Sequence, residues 1–304
     1  MRHIHLVRVA TIGLALLFSA TALAGPKAPK KLDTKEKEAQ TFRYKHKPGS
    51  KTSFTNGVIQ ELDLEVVGGD MPVPNTATRT AMTATLELET TKVLPDGNGQ
   101  IVTTYKDLDI EISQGPTAID KAKLAPMIDQ LKGIKSSVLI TPRGEQKDLK
   151  IEGAPGAQNM NESLRSALIG AAPEFPVKGI KIGEGWEQKI PLKMSQGPIS
   201  MAMDFQIKYT FLGYTTVKKT RLAVFKMSIE LAVKGKPASG FGGQTMKLDG
   251  TGKGLGYLYF DQEAGALYKS EVEMSQVINM DVSAQGQSQK MRMSMKTEAT
   301  MARK

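Results

Sequence analysis

Few residues in this chain are equipped for chemistry. Its histidines are His3, His5 and His46, and the first two fall in a segment that reads as a cleaved leader. His46 lies in Arg43-Tyr44-Lys45-His46-Lys47, with no acidic neighbour to orient an imidazole for base catalysis. The run predicts an exposed histidine at a strand end. There is no cysteine, which excludes thiolate nucleophiles, disulfides and zinc sites built from Cys and His. No GxxxxGK[ST] phosphate loop occurs. Carboxylates remain. A hairpin around Asp96 to Gly99 that keeps its apolar faces together puts Glu87 opposite Asp107 or Asp109, with Glu89 nearby. Like charges across a strand pair repel, so such a pair could recruit a hard cation such as calcium or supply the two acids of a hydrolase. Acids on a wet strand face, flanked by Lys92 and Lys106, are the plainer reading. The residues therefore point away from an enzyme, single out no catalytic group and imply no cofactor.

Apolar chemistry is better represented. In Gln244 to Asp261, QTMKLDGTGKGLGYLYFD, the even positions include Gly250, Gly252, Gly254 and Gly256 between Met246, Leu248, Leu258 and Phe260. Side chains alternate across a strand, so one face is bare at its centre. Glycine inside a strand marks a bend, a bulge or the close approach of another group; the expectation here is a strand bent hard, with free space on its concave side. The chain also holds 16 methionines. Many lie on one face of successive strands: Met201, Met203, Phe205 and Ile207; Met227 and Ile229; Met274 and Met280; Met291, Met293 and Met295. Methionine is flexible and polarizable and suits surfaces that accommodate variable apolar partners. These residues, with Gly252 and Gly254, are the expected ligand-binding set for a lipid or acyl chain. The competing expectation is an ordinary closed core.

Long alternating segments must carry these faces. Val58, Leu62, Leu64 and Val66 oppose Glu61, Asp63 and Glu65; Met82, Ala84, Leu86 and Leu88 oppose Thr83, Thr85, Glu87 and Glu89; Leu108, Ile110 and Ile112 follow the Pro95-Asp96-Gly97-Asn98-Gly99 turn. In the middle, Lys123 to Gly133 predicts a helix with Pro126 at its first position. Ser136 to Ile151 predicts a hairpin turning at Pro142-Arg143-Gly144, and Asn159 to Ala172 a second helix. From Trp186 onward the chain reads as strand almost throughout. The expected fold is mainly β: a large curved antiparallel sheet, a half-barrel or two fused lobes, with two short helices covering the concave face.

The first residues read as an export signal. Arg2 and Arg8 precede an apolar run from Val9 to Ala20, and Ala22-Leu23-Ala24 offers a cleavage site. Residues 1–24 are thus the expected leader, 25–38 a basic flexible tether, and 39–302 one β-rich domain with a lobe at 39–113, a helical and hairpin middle at 114–172 and a second lobe at 173–302. Charge is uneven: residues 39–113 carry seven basic and ten acidic side chains, residues 173–304 nineteen and twelve. A positive second half favours anionic membrane surfaces. An exported chain without a recognisable motif gives no reason to expect nucleic acid as a partner.

The plan of leader, long antiparallel sheet, short helices and a second run of curved strands resembles the half-barrel superfamily of periplasmic lipoprotein carriers and lipid-binding lipoproteins. Phe175-Pro176-Val177 through Gly183-Glu184-Gly185-Trp186 also resembles a connection in secreted bacterial families without an assigned function. The resemblance implies a concave apolar face plugged by helices, although the lipid-bearing cysteine of the anchored members is missing here. Three functional expectations follow. They are a periplasmic or secreted module binding an apolar ligand, a structural or protein-interaction module of the cell envelope, and an outer-membrane barrel suggested by the alternation alone. The charged Arg303-Lys304 end, the few aromatics and the internal helices speak against the last.

Overall fold

The computed structural model describes residues 26–69, 76–132, 134–152, 172–196, 199–236, 238–239, 245–284 and 287–304. Their strands are β1 (Lys51–Gly69), β2 (Thr76–Val93), β3 (Gly99–Gln114), β4 (Thr117–Ala118), β5 (Lys135–Ile140), β6 (Gln146–Glu152), β7 (Gly185–Gln196), β8 (Ile199–Val217), β9 (Thr220–Lys236), β10 (Ala238–Ser239), β11 (Thr245–Asp261), β12 (Ala266–Ala284) and β13 (Gln287–Arg303). Among the described residues one helix, α1 (Lys121–Lys132), lies between β4 and β5. The strands form a single antiparallel sheet in the order β6-β5-β3-β2-β1-β13-β12-β11-β9-β8-β7, with β4 on β3 and β10 on β11. The sheet is not closed; β6 and β7 are its edges. The last strand lies beside the first, from Phe54 opposite Arg303 to Gly69 opposite Gln289. That pairing makes one sheet of the two expected lobes.

Alternation dictates the faces. Along β1, Phe54, Val58, Leu62 and Leu64 are buried while Glu61, Asp63 and Glu65 are exposed. The β8–β9 turn is Lys218-Lys219, both at positive φ (46° and 71°). Two-residue hairpin turns of that hand usually use Asn and Gly, so the sequence carries no signal for it.

The helix starts earlier than expected. Asp120 caps it: its Oδ1 accepts a hydrogen bond from Ala122 N at 2.9 Å. Pro126 is therefore inside the helix rather than at its first position. Leu124 and Leu131, with Ile134 beyond the helix, pack on Phe54, Val58, Met82, Ala84, Leu86, Leu108, Ile110 and Ile112. The helix thus covers β1, β2 and β3, not the methionine-rich half. The second expected helix, Asn159 to Ala172, lies outside the described residues apart from Ala172.

The stretch expected to be a tether is attached at one point. Asp33 N donates to Tyr214 O at 2.7 Å and Tyr214 N donates to Asp33 O at 2.9 Å. Leu32 packs with Leu222, Val224, Tyr257 and Tyr259 on the side of the sheet opposite the main core.

Candidate functional site

The expected carboxylate pair does not form. The β2–β3 hairpin closes with Val93 opposite Gly99, a register that by itself would set Glu87 opposite Tyr105. The irregularity at Thr90/Lys92 moves Glu87 one residue further, to Thr104, and the one at Thr85/Leu86 restores the register, leaving Asp107 opposite Thr85. The bulge leaves Lys106 free to reach Glu87 at 3.2 Å, and Lys51 lies 3.8 Å from the same oxygen. A carboxylate already matched by two ammonium groups has no call on a cation. Among the described residues no cluster of three or more potential metal ligands occurs.

His46 is half-buried rather than exposed. Its ring stacks with Tyr44 at 6.5 Å, and a Cβ on Gly99 would collide with it. Burial lowers its pKa from 6.5, outweighing hydrogen bonds with the Thr141 and Ile140 backbone. The unfolded chain, with its histidine at the ordinary value, binds the proton more tightly. His46 therefore contributes stability that is fully present above about pH 6.5 and is lost as pH falls through the lowered folded value. Between pH 7 and pH 5 the thermal midpoint of the protein should fall further than that of His46→Gln. Equal slopes would show that the ring is solvated.

The methionine face does assemble. Met203, Phe205, Ile207, Met227, Ile229 and Met274 belong to one buried cluster, against which Met201, Met246, Met280 and Met293 pack while remaining partly exposed. Met295 is buried with Leu62 and Leu64 in an adjoining cluster that Met280, Met291 and Met293 also touch. Register explains the junction: Leu62, Leu64 and Val66 of β1 stand opposite Met295, Met293 and Met291, and Met280 of β12 opposite Met291.

The glycine run is not bare. A Cβ at Gly250 would lie 2.6 Å from the Val277 carbonyl oxygen, at Gly254 2.9 Å from that of Glu273, and at Gly256 2.6 Å from that of Glu271. At Gly252 it would meet Gln276 Cβ at 2.9 Å. The expected free space is occupied by β12, which β11 approaches more closely than side chains permit. Gly252 and Gly254 are thus close-packing positions.

The other end of the same face is aromatic. Phe42, Phe175, Phe211, Phe225 and Phe260 are at most 1% exposed, with Phe42 5.0 Å from Phe225 edge-to-face and Phe175 4.8 Å from Phe260. Trp186 stacks on Tyr209 at 4.7 Å. Two segments outside the strands deliver Phe42 and Phe175. Tyr44 N donates to Pro142 O at 2.7 Å and Lys45 N to Gly265 O at 3.0 Å. Arg143 Nε donates to Phe175 O at 2.8 Å, and Arg43 donates to the Pro176 and Val177 carbonyls at 3.0 and 2.8 Å. The Phe-Pro-Val connection thereby ties the β5–β6 turn to the start of β7.

Sequence reasoning did not single out this aromatic end, because Phe42 and Phe175 stand outside any alternating run. It also passed over Asn56 and Gln60, buried on the core face of β1; their even numbering among Phe54, Val58 and Leu62 was the available signal. Set beside known proteins, the chain matches no family model and no curated protein.

Proposed function

We propose that this chain is an exported, non-enzymatic module that holds an apolar ligand, a lipid or an acyl chain, against the methionine-rich face of a sheet curved as a half-barrel. One observation carries the reading: on a single face closed at one end by fully buried phenylalanines, Met201, Met246, Met280, Met291 and Met293 keep partial exposure. Thioether side chains adapt to a guest at little conformational cost, and graded burial from aromatic floor to half-exposed methionine suits a chain that enters from one side. The positive charge of the second half fits work near anionic envelope lipids.

Native mass spectrometry of gently purified protein should show a lipid adduct. A clean ligand-free mass, together with no uptake of either a fluorescent monoacylglycerol or a fluorescent fatty acid, would sink the proposal. A second reading, a structural or interaction module of the cell envelope, is favoured by the depth at which Met203, Met227 and Met274 are buried, 2–5% exposed. It expects the ligand-free result and a protein partner on crosslinking.

A further inference from the structure

The interior face is not uniformly apolar. Thr80 on β2, Gln60 on β1, Thr297 on β13 and Gln276 on β12 all point into it and are 2–9% exposed. Register sets the first three in one row, with Gln276 in the row beside it. Gln60 stands opposite both Thr80 and Thr297, Thr297 stands opposite Met274, and Gln276 stands opposite Met295 and Gly252. With strands about 4.8 Å apart, this belt crosses about 14 Å of sheet. Gln60 Nε2 donates to the Met295 sulfur. Thr297 Oγ1, 2% exposed, has no hydrogen-bond partner among the described residues, and neither has Asn56 Oδ1, on the same face of β1 and 3% exposed.

Unmet buried hydroxyl and amide groups cost stability, and native structures hold few of them. Valine in place of Thr297 and leucine in place of Asn56 would have filled these positions without that cost. The groups make sense as half of a contact. Their chemistry is also selective. Asn56 Oδ1 lies four residues along β1 from Gln60, about 13 Å from the belt, and asks for a donor of its own. At the belt itself the Thr297 hydroxyl can accept from a ligand hydroxyl or amide. No core-facing position of β1, of β12 between Val272 and Val282, or of β13 between Met291 and Met301 carries a charged side chain. An ionised head group brought here would be left without a counter-charge.

We infer that the ligand is a neutral amphiphile bearing a hydroxyl or amide donor, seated with that group at the Thr297 belt and its hydrocarbon along the methionines. The inference rests on the apolar-ligand reading above. It excludes a carboxylate or phosphate lying inside the face. The test compares monopalmitoylglycerol with palmitate at pH 8, by displacement of a fluorescent monoacylglycerol from the full chain and from Thr297→Val. The neutral lipid should bind the unmodified protein about tenfold more tightly, the difference expected of one well-made hydrogen bond. In Thr297→Val that gap should shrink to about threefold or less, with palmitate affinity unchanged and the ligand-free thermal midpoint equal or higher. Equal affinities, or a gap that survives in Thr297→Val, would overturn the inference and leave the apolar-ligand reading standing. A protein that binds neither lipid removes both.

Discussion

Phe175→Ala is expected to lower unfolding free energy by about 3–5 kcal/mol, the range for deleting a buried aromatic ring. Phe175 has no exposed surface, and its ring meets Phe42, Tyr44, Trp186, Phe225 and Phe260 at centroid distances from 4.8 to 5.7 Å. The neighbours come from four separate parts of the chain, so none can collapse into the hole without releasing another contact. The chain has a single tryptophan, and it belongs to this cluster. Urea unfolding followed by Trp186 fluorescence therefore reports the region directly. Val177, two residues on and 68% exposed, is the control: Val177→Ala should change stability by less than about 0.5 kcal/mol. Comparable losses at both positions would mean that the connection matters for something other than packing.

Gly256→Val is expected to cost about 3 kcal/mol or more, the upper range for forcing extra atoms into packed structure. The first added carbon would lie 2.6 Å from the Glu271 carbonyl oxygen, 2.7 Å from Met227 Cε and 3.0 Å from Val272 Cγ2. The Met227 methyl can swing away. The Glu271 carbonyl cannot, because it belongs to the β12 backbone paired with β11, so relief requires the two strands to separate. Gly68→Ala offers the comparison: nothing lies within 4 Å of a Cβ there, and the midpoint of chemical unfolding should barely move. If Gly256→Val were as mild, β11 and β12 would be packed more loosely than their register implies. The same measurement bears on function, since the close approach of these strands sets the width of the face behind the methionines.

The alternation along Val58 to Val66, Thr80 to Thr90, Met201 to Phe211 and Met291 to Met301 was enough to assign strands and to say which side chains share a face. It works because side-chain direction in a strand is a local property with a period of two. The methionine set was legible for the same reason; the first short helix was legible from a different period, with Ile128 and Leu131 on one side and Gly133 as a stop, though not its start. There Asp120 was the better start signal than Pro126, since a capping carboxylate fixes the first turn while proline merely tolerates a place in it.

What lay beyond the sequence was everything that depends on one strand meeting another. Glu87 missed Asp107 because the hairpin closes with Val93 opposite Gly99, two residues tighter than that pairing needs. The irregularities at Thr91 and Lys106, which nothing in the sequence marks, only move Glu87 one residue further and back. The four glycines announced that something approaches β11 but not that it is the β12 backbone. Phe42 and Phe175, from segments without periodicity, found each other only through hydrogen bonds to turns far away in the chain. Local patterning decided the elements and their faces. Partner, register and depth were decided by contacts between distant residues, whose energies appear only once the strands have paired.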